Sequence, residues 1–159
     1  MIKTILYATD LGLFGPFILE HVCELANRHD ARVTVVHAVE PVGLLADALL
    51  ETYLTEADKA RLNAHGYDAV MATIRARVIQ AFEEDFIDFK GPRKQVKDVR
   101  VLSGEASTVI LTEAEKIGAD LIVLGTHGNG SGATALGSVA SKVLQLCKMP
   151  VYLVPTQRH

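Results

Sequence analysis

Five short runs of aliphatic and β-branched residues recur along this chain, at residues 2–9, 32–39, 99–102, 120–124 and 151–154. Each gap between them holds a stretch with an apolar helical stripe. Strands separated by helices are joined by crossovers, which sets them parallel in one sheet with helices over both faces. The strand at Arg32–Val39 (RVTVVHAV) is apolar enough to be covered on both sides, as such a sheet requires. None of the runs approaches the roughly 20 apolar residues of a bilayer span. The N-terminus passes straight into the first strand without a signal-peptide pattern, so a cytoplasmic protein is expected.

The helical stripes can be read individually. Leu19, Val22, Cys23 and Ala26 fall at i, i+3, i+4 and i+7 behind Pro16, which suits a first helical turn. Val70, Met71, Ile74, Val78, Ala81 and Phe82 trace a long helix from Tyr67 towards Phe86, ended by Gly91-Pro92. Ala106, Val109, Ile110, Ala114 and Ile117 form a third stripe, opened by Ser103-Gly104-Glu105 and closed by Gly118. Leu136, Val139, Ala140, Val143, Leu144 and Cys147 form the fourth, stopped by Pro150. The connection from Val42 to Gly66 exceeds the roughly 2–6 residues of a plain loop between strand and helix. Extra helix is expected there, anchored by Leu44, Leu45, Leu49 and Tyr53, with a polar break from Glu56 to Arg61. Arg93, Lys94 and Lys97 read as a solvated basic loop.

With 159 residues the chain makes one domain, taken as residues 1–155 with a short tail at 156–159. Its 16 Lys+Arg against 19 Asp+Glu leave a net charge of −3, which argues against a nucleic-acid partner or an anionic membrane surface. Cys23 and Cys147 stand far apart without metal-ligand spacing, so a disulfide scaffold and a zinc ribbon are both excluded. His37, inside an apolar strand, reads as a hydrogen-bonded core residue.

In an open parallel sheet, ligands bind beyond the carboxyl ends of the strands, where strand order reverses. Asp10, Ala38-Val39 and Gly125 fall at three such ends. The loop Gly125-Thr126-His127-Gly128-Asn129-Gly130-Ser131-Gly132 leads into Gly137-Ser138-Val139 at a helix start. Glycines admit close approach of backbone N–H groups, and the helix N-terminus adds partial positive charge; together they suit a phosphate, with Ser138 and Ser141 as hydroxyl donors. The loop lacks the lysine of a Walker A motif, and no Lys or Arg occurs from Gly125 to Ser141. Ser138 has no evident His and Asp partners, so hydrolase chemistry is unsupported. Asp10 also reads as a turn-stabilising carboxylate before Leu11-Gly12.

Ile5-Leu6-Tyr7-Ala8-Thr9-Asp10, Val36-His37-Ala38-Val39, Gly125-Thr126-His127-Gly128 with Gly137-Ser138-Val139, and the ending Lys148-Met149-Pro150-Val151-Tyr152-Leu153-Val154 resemble the universal stress protein A family from one end of the chain to the other. The resemblance implies a five-stranded parallel sheet of order 3-2-1-4-5, of the adenine nucleotide alpha hydrolase-like type. It further implies binding of ATP or another adenine nucleotide, with Mg²⁺ arriving on the nucleotide, in a sensor or regulatory role. The implied ligand-binding residues are Thr9, Asp10, Ala38, Val39, Leu124, Gly125, His127, Gly128, Gly130, Gly137, Ser138 and Val139. Asp10 would meet the ribose or adenine edge, Ala38 would line the adenine pocket, and Gly128, Gly137, Ser138 and Val139 would face phosphates. The family's nucleotide-binding branch has nine residues between the second and third motif glycines, whereas eight (129–136) separate Gly128 from Gly137 here. A homodimer through Val151–Val154 is also implied. The alternative reading is a dimeric interaction protein on the same fold that binds no nucleotide.

Overall fold

The computed structural model describes residues 1–40, 52–61, 66–88, 93–127 and 136–156. Its five strands are β1 (Thr4–Ala8), β2 (Arg32–Val39), β3 (Val96–Ser103), β4 (Leu121–Gly125) and β5 (Val151–Val154). They form one sheet of order β3-β2-β1-β4-β5 in which every neighbouring pair is parallel. The helices are α1 (Gly15–His29), α2 (Glu56–Arg61), α3 (Tyr67–Asp88), α4 (Ala106–Ile117) and α5 (Ser138–Leu146).

The two-residue period of the strands divides the core between the two faces of the sheet. Ile5, Tyr7, Val33, Val35, Leu121 and Val123 point to one face and meet Ile18, Leu19, Val22, Cys23 and Ala26 of α1 and Val78 of α3. Leu6, Ala8, Val36, Ile122 and Leu124 point to the other and meet Val109, Ile110 and Ala114 of α4 and Ala140 and Val143 of α5. The expected stripes of α1 and α4 are therefore the faces that are buried. Burial pushes the Cys23 thiol up to about 11, so it packs as a small apolar residue and stays protonated.

Helix ends follow local chemistry. Gly118 closes α4 at φ +62, a left-handed conformation that costs glycine little, and donates to the carbonyls of Ala114 and Glu115. Glu105 caps the start of α4, accepting from Ser107 Oγ at 2.7 Å, Thr108 N at 2.9 Å and Thr108 Oγ1 at 2.7 Å. The hydroxyls of Ser107 and Thr108, with the Thr108 amide, pull its carboxyl down to about 2.

Four expectations change. The presumed polar break at Glu56–Arg61 is helix α2, and Thr55 caps it: its Oγ1 accepts from Asp58 N at 3.2 Å and donates to Asp58 Oδ2 at 2.6 Å. Tyr53 is 80% exposed, so it is not packed into the core of this chain; Leu44, Leu45 and Leu49 lie outside the described residues. Strand β3 begins at Val96, so Lys97 sits on a sheet edge and Arg93–Gln95 form one 3₁₀ turn. Leu136 precedes α5 and is exposed, because Gly137 takes an extended conformation and the helix starts only at Ser138.

Candidate functional site

The strand order reverses at β1, whose neighbours are β2 and β4. A cleft of about 470 Å³ opens there, beyond the carboxyl ends of these three strands and beside the first turns of α4 and α5. Its volume lies within the range of small-molecule sites, roughly 300–1,000 Å³. Ala8, Ile18, Val36, Ile110, Leu124 and Ala140 give it apolar walls, and Thr9, Asp10, His37, Glu40, Thr126, His127 and Ser138 bring polar groups to it.

Each wall is held by identifiable bonds. After β1, Leu11 N donates to Thr9 Oγ1 at 3.1 Å and Gly12 N to Asp10 Oδ1 at 2.9 Å. Those two side-chain turns hold Leu11 at φ +59, a conformation that costs a non-glycine residue roughly 1–2 kcal/mol. Asp10 thus stabilises the turn, as its position before Leu11-Gly12 suggests, and also lines the cleft. From β2, His37 Nδ1 donates to the Thr9 carbonyl at 2.8 Å, which fixes the orientation of the ring. His37 is hydrogen-bonded as expected, but it is half-buried and lines the cleft instead of sitting in the core.

After β4, the turn at Thr126–His127 is tied to the end of the chain. His127 N donates to Thr156 Oγ1 at 3.0 Å, Thr156 N donates to Thr126 Oγ1 at 3.1 Å, and Thr126 N donates to the Val154 carbonyl at 2.9 Å. Thr156 is only 5% exposed, although it stands at the first position of the expected tail. A lone threonine after a terminal strand carries no sequence signal for that role. Across the loop, Gly137 N donates to the Thr126 carbonyl at 2.9 Å, which seats the start of α5 against the end of β4. The leading N–H groups of α5 at Ser138, Val139 and Ala140 have no intrahelical acceptor and lie at the cleft, as does the positive end of the helix.

Of the residues implied by resemblance, Thr9, Asp10, Ala38, Leu124, Gly125, His127, Gly137, Ser138 and Val139 meet in this one cleft. Val39 is not among its lining residues; its carbonyl instead accepts Gly104 N at 3.0 Å. Gly128 and Gly130 lie outside the described residues. Glu40 and Thr156 carry no signal in the sequence, Thr126 appears there only as part of the glycine-rich loop, and His37 reads as a core residue because an apolar strand dominates its surroundings. Among the described residues, no group of three or more His, Cys, Asp or Glu side chains could hold a metal ion, and no helix is long and apolar enough to cross a membrane.

The parallel sheet of order β3-β2-β1-β4-β5 and the crevice at its switch point define an open α/β protein with a ligand-sized cleft where such sheets carry their sites. The model of the universal stress protein family matches residues 1–155, and the chain belongs to that family. A universal stress protein of Thermus aquaticus is 36% identical over 155 residues, covering 97% of this chain and 99% of its own length. Among solved structures, UspA of Lactobacillus plantarum superimposes with a TM-score of 0.61 at 23% identity, covering 96% of this chain and 97% of that one. A universal stress protein in complex with cAMP gives a TM-score of 0.58 at 19% identity, with 98% of each chain covered. At those identities the two structures establish the common fold.

Proposed function

We propose that this protein binds an adenine nucleotide in the cleft at the end of β1 and acts as a regulatory module of the stress response. The observation that carries the reading is the convergence of the ends of β1, β2 and β4 with the first turn of α5, whose leading N–H groups have no intrahelical acceptor, in one apolar-walled crevice. That combination suits a planar base and ribose at one end and a phosphate at the other. Val36, Ala38, Ile110 and Leu124 would enclose the base, Asp10 would meet the ribose, and Ser138 and Val139 would face phosphate. The cAMP complex of a relative with the same fold supports the reading. ATP and its magnesium complex belong to the same ligand class. Mass-spectrometric analysis of the gently purified protein tests it: a copurified adenine nucleotide is expected. No copurified nucleotide, together with no thermal shift in millimolar ATP, ADP, AMP or cAMP, would favour the interaction-module alternative.

A homodimer through β5 belongs to the same proposal. Among the described strands β5 pairs with β4 alone and is the last in the sheet, so its other edge is open to a further strand. Tyr152 is 37% exposed there and its hydroxyl lies 3.3 Å from His21 Nδ1, while the His21 ring stacks edge-on against the exposed Phe17 at 5.0 Å. Leu144 and Leu146 are exposed on α5. Val151 and Leu153 pack against the core and are poor probes of the edge. Tyr152→Lys should convert the dimer to monomer in sedimentation velocity with little change in melting temperature. A wild-type protein that sediments as a monomer at high concentration would rule the dimer out.

A further inference from the structure

Strands β1 and β2 stay paired from Thr4↔Arg32 to Ala8↔Val36, yet β2 runs on to Val39 while β1 ends at Ala8. Thr9, the first residue past β1, is held at each of its polar groups. Its N–H donates to the Val36 carbonyl at 3.0 Å, its Oγ1 accepts Leu11 N at 3.1 Å, and its carbonyl accepts His37 Nδ1 at 2.8 Å. The imidazole thus takes the acceptor that a continuing ladder would give to a backbone N–H, at the point where β1 parts from β2. A peptide unit is planar, so holding the Thr9 carbonyl also fixes the amide of Asp10 and the direction in which the Asp10 side chain leaves the backbone. On the far side, Asp10 Oδ1 accepts Gly12 N at 2.9 Å and Leu11 takes φ +59. His37 and Asp10 both line the cleft.

We propose that His37 is a positioning residue for the nucleoside: on the reading of the cleft as the adenosine site, it acts through the Thr9 carbonyl to aim Asp10 at the ribose. The property that matters is an N–H donor at the place of Nδ1, two bonds from Cβ. Asn presents its amide nitrogen two bonds from Cβ, Gln presents its own one bond further, where Nε2 lies, and Leu presents none.

Calorimetry with adenosine, and with adenine as the ligand lacking a ribose, tests the proposal on the wild type and on variants at both positions. His37→Leu should weaken adenosine about tenfold and leave adenine within about twofold. His37→Asn should keep adenosine within about threefold of wild type, and His37→Gln should lose as much as His37→Leu. Should His37→Leu fail to fold, the Asn and Gln variants carry the same comparison. With Asp10→Ala already in place, His37→Leu should cost adenosine less than about twofold, because a residue that acts through Asp10 loses its effect with it. Adenosine affinity unchanged in His37→Leu, equal losses for adenine and adenosine, a tenfold loss that persists beside Asp10→Ala, or no difference between Asn and Gln overturns positioning through Asp10 while leaving an adenosine site in place. Failure of the wild type to bind either ligand overturns the site reading itself, and this proposal with it.

Discussion

A Gly125→Val protein is expected to fold, to melt about 2–12 °C below wild type, and to bind no adenine ligand. A Cβ at this position would lie 2.8 Å from Thr156 Cγ2 and 3.0 Å from Ile18 Cδ1, closer than carbon atoms pack. Overpacking of this kind costs roughly 1–3 kcal/mol, and each kcal/mol moves the melting temperature of a domain this size by roughly 2–4 °C. The larger effect is on the site. Gly125 is the last residue of β4 and lines the cleft, and a branched side chain there would press on Thr156 and Ile18 and push Thr156 off the bonds that hold the Thr126–His127 turn at the cleft. Combining Gly125→Ala with Thr156→Ser removes the Cγ2 in conflict and keeps the hydroxyl. That pair should recover part of the stability lost by Gly125→Ala alone, a coupling readable in a double-mutant cycle. Unimpaired ligand binding by Gly125→Val would show that the ligand sits elsewhere.

The second large effect is expected at Arg100, far from the cleft in role. Arg100 Nη1 lies 2.7 Å from Glu113 Oε2 and its Nε 2.7 Å from Asp98 Oδ2, linking β3 to α4. The Glu113 side chain is only 7% exposed. Burial by itself raises its carboxyl, but the hydrogen bonds from Arg100 and Lys116 outweigh that and hold it below the usual glutamate range. Arg100→Met leaves a buried carboxylate with Lys116 at 3.4 Å as its remaining ion-pair partner, which should cost roughly 1–3 kcal/mol at neutral pH. The pH dependence follows from the direction of the shift. A carboxyl lowered in the folded state contributes stability above its unfolded pKa and loses it as pH falls through the folded value. The variant should therefore be less stable at neutral pH and should lose less stability on acidification than wild type. Urea titrations at neutral and acidic pH read both effects, and parallel losses in the two proteins would contradict the account.

Much of the fold was legible because two periods alternate cleanly. Ile5 and Tyr7 against Leu6 and Ala8 split between the two core faces as a strand must, and Leu19, Val22, Cys23 and Ala26 bury one helical stripe. Boundaries were less legible where capping competes with polarity. Thr55 and Asp58 start a helix in a stretch that looks like a break, and Gly137 delays α5 past Leu136. The strand ends Thr9, Asp10, Ala38 and Gly125 were readable as site positions, since parallel topology alone puts them at the crevice. His37, Glu40 and Thr156 were not. His37 owes its role to the carbonyl of Thr9, 28 residues away, and Thr156 owes its own to a turn 29 residues earlier. Such pairings exist only after the chain has folded. Asp10 shows why residue type alone leaves a role open, because one carboxylate both closes the turn onto Gly12 and faces the cleft.

The central claim is that an adenosine moiety occupies the crevice at the switch in strand order. Backbone amide chemical shifts of the wild-type protein, followed by two-dimensional NMR during titration with adenosine and with cAMP, test it at residue resolution. The account predicts saturable changes centred on Thr9, Asp10, His37, Ala38, Gly125, Thr126 and His127, extending to Ser138 and Val139 only when the ligand carries a phosphate. Changes confined to β5 and the exposed face of α1 around Phe17 and His21, or no changes at millimolar ligand, would contradict it.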